Sequence, residues 1–136
     1  MNWIEKVTVV AIAVGCSIGS ALAQDKTADF IQGVYARDGR CDKVQAIEAG
    51  APKTADTVTD TLTSAGFQAW AGNCVFEDIT EKEKGRSYQA RVKCTEGTKS
   101  WVEKDDFLLD PSGNLITVWT DGEKSQYVKC ESGKGK

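Results

Sequence analysis

Apolar and polar residues alternate in short runs over the second half of this chain, and glycine-bearing turns separate the runs. That is the pattern of half-buried antiparallel strands. The stretch "CVFEDITEKEKGRSYQARVKC" (74–94) predicts a hairpin. A three-residue loop takes a type I turn followed by a left-handed residue, where glycine is least strained. Placing Glu83-Lys84-Gly85 in that loop sets Lys82 opposite Arg86, Glu77 opposite Arg91, Phe76 opposite Val92, and Cys74 directly opposite Cys94. Cys74, Phe76, Tyr88, Val92 and Cys94 then share an apolar face, while Glu77, Gln89, Arg91 and Lys93 share a charged one.

The same reading extends downstream. In "FLLDPSGNLITVW" (107–119) a Pro111-Ser112-Gly113 loop pairs Leu109 with Leu115 and Phe107 with Thr117. Asp121-Gly122 has the composition of a two-residue type I′ turn, which pairs Leu115 with Val128 and Ile116 with Tyr127. Residues Leu115 to Trp119 are apolar on both faces, as in a central strand or a curved sheet. A further turn falls at Glu96-Gly97.

Upstream, "TVTDTLTSAGFQAW" (57–70) reads as a hairpin turning near Ala65-Gly66, and "DFIQGVYAR" (29–37) as a first strand. Residues 41–56 have Val44 and Ile47 at helical spacing before a Gly-Ala-Pro stop, which predicts one helical turn or a loop. About seven strands in sequence-adjacent hairpins imply an all-β, up-and-down meander. Closing it into a small barrel removes its edges; a two-layer sandwich is the alternative.

The N-terminus changes the context. Lys6, an apolar run from Val7 to Ile18, and Ala21-Leu22-Ala23 predict a signal peptide over residues 1–23, leaving residues 24–136 as a single β domain with a frayed basic tail, "KCESGKGK". The apolar run is shorter than the ~18 residues of a spanning helix. "AVGC" (13–16) resembles a lipobox, so lipidation at Cys16 is the alternative to cleavage at Ala23. The expected location is the periplasm or outside the cell, or tethered to the envelope by a lipid.

Four cysteines then remain, Cys41, Cys74, Cys94 and Cys130. An even number in an exported chain predicts two disulfides with three possible connectivities. The hairpin register selects Cys74–Cys94, and elimination leaves Cys41–Cys130, joining the end of the first strand to the end of the last. Without histidine or C-x₂-C spacing, no metal site is expected.

A net charge of −3 offers no basic footprint for nucleic acid. Nucleophilic catalysis lacks a histidine and an S-x-x-K motif. The acidic pairs Asp105-Asp106 and Glu77-Asp78 are adjacent on strands, so each pair points to opposite faces. The Asp110–Asn114 turn has too few oxygen ligands for calcium. No catalytic residue and no cofactor are therefore expected. Trp70, Trp101, Trp119, Tyr88 and Tyr127 are expected in the core, with the lining of a barrel mouth as the alternative.

The segments "GVYARDGRC", "GFQAWAGNCVF", "YQARVKC" and "YVKC" together resemble small exported four-cysteine β proteins of Gram-negative bacteria, particularly α-proteobacteria. The resemblance implies a compartment and an all-β fold, and carries no site residues. Size, export signal, disulfides and barrel-like strands are also similar to periplasmic inhibitors of c-type lysozyme, whose inhibitory stretch contains Ser-Gly-x-x-Tyr. Here "KGRSYQARV" (84–92) has Gly85 and Tyr88 but Lys84 in place of the serine. The expected function is a non-catalytic binding module for a protein or envelope ligand, with inhibition of a hydrolase such as c-type lysozyme as the alternative. The exported form should begin at Gln24 by intact mass; diacylglycerol on Cys16 would establish the lipoprotein instead.

Overall fold

The eight strands are joined mainly by tight turns, so each lies beside its sequence neighbour, and the last returns to the first. The computed structural model describes residues 26–131; the signal peptide, Cys16, the Ala23 cleavage site and tail residues 132–136 lie outside the described residues. In chain order the strands are β1 (Val34–Arg37), β2 (Thr61–Thr63), β3 (Gly66–Gln68), β4 (Gly72–Glu83), β5 (Ser87–Glu96), β6 (Lys99–Leu109), β7 (Leu115–Thr120) and β8 (Glu123–Cys130). Every neighbouring pair is antiparallel, and β8 pairs with β1 from Val34↔Cys130 to Arg37↔Tyr127. The meander closes as a barrel, not a sandwich.

Helix α1 (Cys41–Glu48) is the single helix among the described residues. It is longer than the expected single turn, and ends where Gly50 takes φ 103° before Pro52. After Asp38 and Gly39, both at positive φ, the chain doubles back and lays α1 against β8 and β1. That brings Cys41 to Cys130 with Cα atoms 5.4 Å apart. Cys74 bonds Cys94 across the β4–β5 ladder, Cα atoms 3.9 Å apart. Both expected disulfides are present.

The hairpin registers are right near the cysteines and drift at the tips. Cys74↔Cys94 and Phe76↔Val92 pair as expected, but Asp78, not Glu77, faces Arg91. A β-bulge at Glu77 adds one residue, and a second at Lys82 sets Glu83 opposite Ser87 in place of Lys82 opposite Arg86. The first bulge has a packing reason: it reverses the parity of β4 and turns Ile79 from the charged face toward the core. A ladder this long must also coil to close, and bulges supply that bend.

The β6–β7 hairpin pairs Leu109 with Ile116 and Phe107 with Val118, one position from the expected Leu115 and Thr117. Its loop has four residues, because the Asn114 carbonyl accepts a 2.8 Å hydrogen bond from Lys129 of β8. Gly113 does take the left-handed position, at φ 78°. The Asp110 carboxylate accepts from the Ser112 N–H and hydroxyl, which holds its pKa below the ordinary value. The β7–β8 register is as expected, with Asp121 and Gly122 both at positive φ. The other two turns sit one residue from expectation, at Gly97-Thr98 and Ser64-Ala65.

The largest correction concerns residues 29–37. Only Val34–Arg37 is strand; the segment before it crosses and plugs one end of the barrel. Lys26 pairs with Phe76 just beyond the point where the short β3 ends, and Ala28 donates to Ser64 of the β2–β3 turn. Phe30 then stacks on Tyr88 with ring centroids 3.8 Å apart and meets Phe107 edge-on. A straight strand would send Phe30 and Ile31 to opposite faces, whereas the bent segment buries Ala28 and Ile31 and packs Phe30 on the core. The Tyr35 hydroxyl donates to the Gly113 carbonyl at the same end.

The two disulfides span separations of 89 and 20 residues. In the chain-entropy view they stabilise by about 4–5 and about 3 kcal/mol respectively. Replacing Cys41 and Cys130 together by alanine should lower the Tm roughly 5 °C further than replacing Cys74 and Cys94 together. The reverse order in calorimetry would mean that the shorter bridge contributes more than loop closure.

Candidate functional site

Side chains alternate in and out along a strand, so one face of β6 reads Trp101, Glu103, Asp105, Phe107 from the rim toward the core. Phe107 belongs to the plugged half, packed with Phe76, Tyr88, Val92 and Ile116. Phe67 and Tyr127 cap that half: Phe67 lies 6.0 Å from the Phe107 ring and 5.6 Å from Tyr127. Above them the barrel is not filled. A cavity of about 410 Å³ opens at the end carrying the β3–β4, β5–β6 and β7–β8 turns. Eight strands leave an interior that side chains can just fill or that holds one small ligand, and here the two halves divide those roles.

Glycine lets the wall close tightly at this end. A Cβ on Gly72 would lie 2.1 Å from the Thr95 carbonyl oxygen. The Cys74–Cys94 bond lies in the cavity wall, with Cys94 Sγ 3.5 Å from Glu103 Oε1. The bridge therefore clips the hairpin and also forms part of the site.

The polar groups of the cavity are arranged in pairs. Arg37 at the end of β1 meets Asp60, Nη1 to Oδ2, at 3.1 Å. The Trp101 indole Nε1 donates to Glu103 Oε1 at 2.7 Å, which fixes the orientation of the ring. Thr120 Oγ1 donates to Asp105 Oδ1 at 2.9 Å. Asp105 is 1% exposed, and Glu103 lies two residues before it on the same inward face of β6. Burial, first, and the Glu103 carboxyl, second, push the Asp105 pKa up to about 8 against the pull of Thr120. Burial likewise pushes Tyr127 up to about 12, so its phenol stays neutral.

Of the acidic pairs considered from sequence, Asp105-Asp106 is split as the strand geometry requires, whereas Glu77-Asp78 falls at the β4 bulge, between the core-facing Phe76 and Ile79. Asp106 points outward, where Gln89 donates to it at 3.0 Å, and Asp78 is exposed on the outer face. The pair that does converge, Glu103 with Asp105, is separated by one residue, not adjacent. Its signal was the period-two spacing in "WVEKDDF". The tryptophans also depart from expectation. Tyr88 and Tyr127 are buried, but Trp70 is 55% and Trp101 42% exposed. Trp101 and Tyr127 line the mouth, and Trp70 sits in the β3–β4 turn beside the lining residues Ala69 and Ala71.

A shallower recess at the plugged end, between Lys26, Phe30, Ile79, Glu81 and Tyr88, is more open to solvent. Among the described residues no His, Cys, Asp and Glu cluster is arranged to hold a metal ion. No protein family, curated protein or solved structure matches this chain.

The shifted carboxyl carries a pH signature. Asp105 ordinarily titrates near 3.8, so between about pH 4 and pH 8 the folded protein holds a proton that the unfolded chain has released. The contribution of this group to stability is full below that window and falls as pH rises through it. Charged and titratable neighbours are Glu103, Asp121 and Tyr127, and none supplies a compensating cation. Asp105→Asn keeps the shape of the protonated acid without its titration. The variant's Tm minus that of the wild type should rise between pH 5 and pH 8.5 in thermal melts, whereas a flat difference would mean that Asp105 is ionised throughout.

Proposed function

We propose that this chain is an exported, non-catalytic binding module of the bacterial periplasm or cell surface that takes a small ligand into the open end of its barrel. The observation that carries this reading is the division of the interior. One half is packed and plugged, and the other holds a cavity of about 410 Å³ with aromatic walls and a few converging polar groups. Small-molecule sites fall at roughly 300–1,000 Å³, and the mouths of β-barrels are among their usual places. Two disulfides fit an oxidising compartment, as does the leader ending Ala21-Leu22-Ala23. Among the described residues no helix is long and apolar enough to cross a membrane.

Hydrolase inhibition has less support. In the segment similar to the lysozyme-inhibitor stretch, Tyr88 is buried under Phe30 at the plugged end and would not reach an enzyme cleft. Catalysis is weighed against by the placement of the acids. Glycosidase carboxyls flank the scissile bond from opposite sides, whereas Glu103 and Asp105 stand side by side on one face of one strand.

A cavity-filling variant tests the reading. Ser125 lies on the cavity wall, so Ser125→Trp should occupy the site. Protein recovered from the periplasm of a Gram-negative host should carry a small-molecule adduct in native mass spectrometry, absent from a folded Ser125→Trp variant. Neither protein should turn over ester, peptide or glycoside substrates. Turnover that survives repurification and disappears in Asp105→Asn would establish an enzyme.

A further inference from the structure

We infer that the ligand is a small organic cation, an ammonium group on an apolar or aromatic body. This rests on the cavity being the ligand site and concerns what chemistry that cavity accepts. Five acidic side chains line it, Asp60, Glu96, Glu103, Asp105 and Glu123, against the single guanidinium of Arg37. Arg37 is already paired with Asp60. An anionic ligand would thus meet unbalanced negative charge with the cation engaged elsewhere.

A neutral apolar ligand fares little better. It would displace water from these acids without offering a donor in its place, and desolvating a carboxylate is costly. A divalent metal is disfavoured for a different reason, since calcium takes six to eight oxygen ligands and, among the described residues, no three acids are grouped to hold a metal ion. An ammonium group satisfies both acids: it donates to Glu103 and, beside Asp105, takes the place of the proton that the buried Asp105 carboxyl holds. Binding then releases that proton to solvent, so charge and hydrogen bonds both balance.

The walls suit the rest of such a molecule. Trp101 stands at the rim with its indole held by Glu103, its exposed surface available to a cation or an aliphatic stem. Phe67, Tyr127 and the Cys74–Cys94 bridge supply apolar surface around the acids. The aromatic faces and the carboxyls thus attract the same kind of group from different sides.

Three probes of similar size and different charge decide the matter: phenethylamine, 2-phenylethanol and 3-phenylpropionate, titrated calorimetrically into the mature protein. Phenethylamine should bind at least about tenfold tighter than the other two. Its apparent enthalpy should vary with the ionisation enthalpy of the buffer, reporting proton release at pH 6.5. Glu103→Gln and Asp105→Asn should each weaken phenethylamine by about tenfold or more without weakening 2-phenylethanol. Equal or tighter binding of the alcohol or the anion overturns the cation assignment and leaves the cavity as a ligand site. Failure of all three to bind overturns both.

Discussion

The β1–β8 ladder is the constraint on which the rest of this molecule depends. Seven of the eight strand pairings join sequence neighbours, but β1 and β8 must meet across almost the whole domain. Such a contact is entropically expensive to form and gives little until it is complete. The chain reinforces it from outside: α1 doubles back onto β8 and the Cys41–Cys130 bond fastens helix to strand. Without that closure β1 and β8 would be exposed edges, and Arg37 of β1 would not stand opposite Tyr127 of β8. The cavity wall is therefore a product of the same contact that makes the barrel.

Closure also explains the asymmetry of the interior. β2 and β3 have three residues each while β4, β5 and β6 have ten to twelve, so one side of the barrel is tall and the other short. At the plugged end the gap above the short strands is covered by residues 26–33, which pair with Phe76 and cover the core through Phe30 and Ile31. At the other end nothing among the described residues enters the barrel from above. The tall strand β6 spans both regions, and its inner face changes from aromatic to acidic and back to aromatic along its length.

Much of this was legible in the chain because turn chemistry and alternation are local. Asp121-Gly122 and the pairing of Cys74 with Cys94 follow from a few residues each, and the disulfide framework follows from them. What escaped the sequence depended on distant partners. The bulge at Glu77 is needed only because Ile79 has a core to enter, and the extra loop residue Asn114 because Lys129 of β8 requires an acceptor. The plug looked like a strand because Phe30 and Ile31 are as apolar as strand residues. Their role is visible only once Tyr88 and Phe107 are in place beneath them. The pairing of Glu103 with Asp105 is masked in the sequence for a simpler reason: Asp105 has an adjacent acid in Asp106, yet on a strand it is alternate residues that share a face.

That pair also bears on why the barrel is not filled. A β6 selected for stability alone would carry apolar residues at every inward position, since a buried carboxyl lowers stability across the physiological pH range. Apolar residues at 103 and 105 would extend the packing of Phe107 toward the rim. Natural sequences break such local rules where function requires it, and offset the loss elsewhere. Here the break falls at two inward positions of one strand, both facing the cavity. The offsets lie close by: Thr120 donates to Asp105, the Trp101 indole donates to Glu103, and the Cys74–Cys94 bond stiffens the wall against which Glu103 rests. Groups held in this way keep their geometry without a ligand, so little ordering would oppose binding.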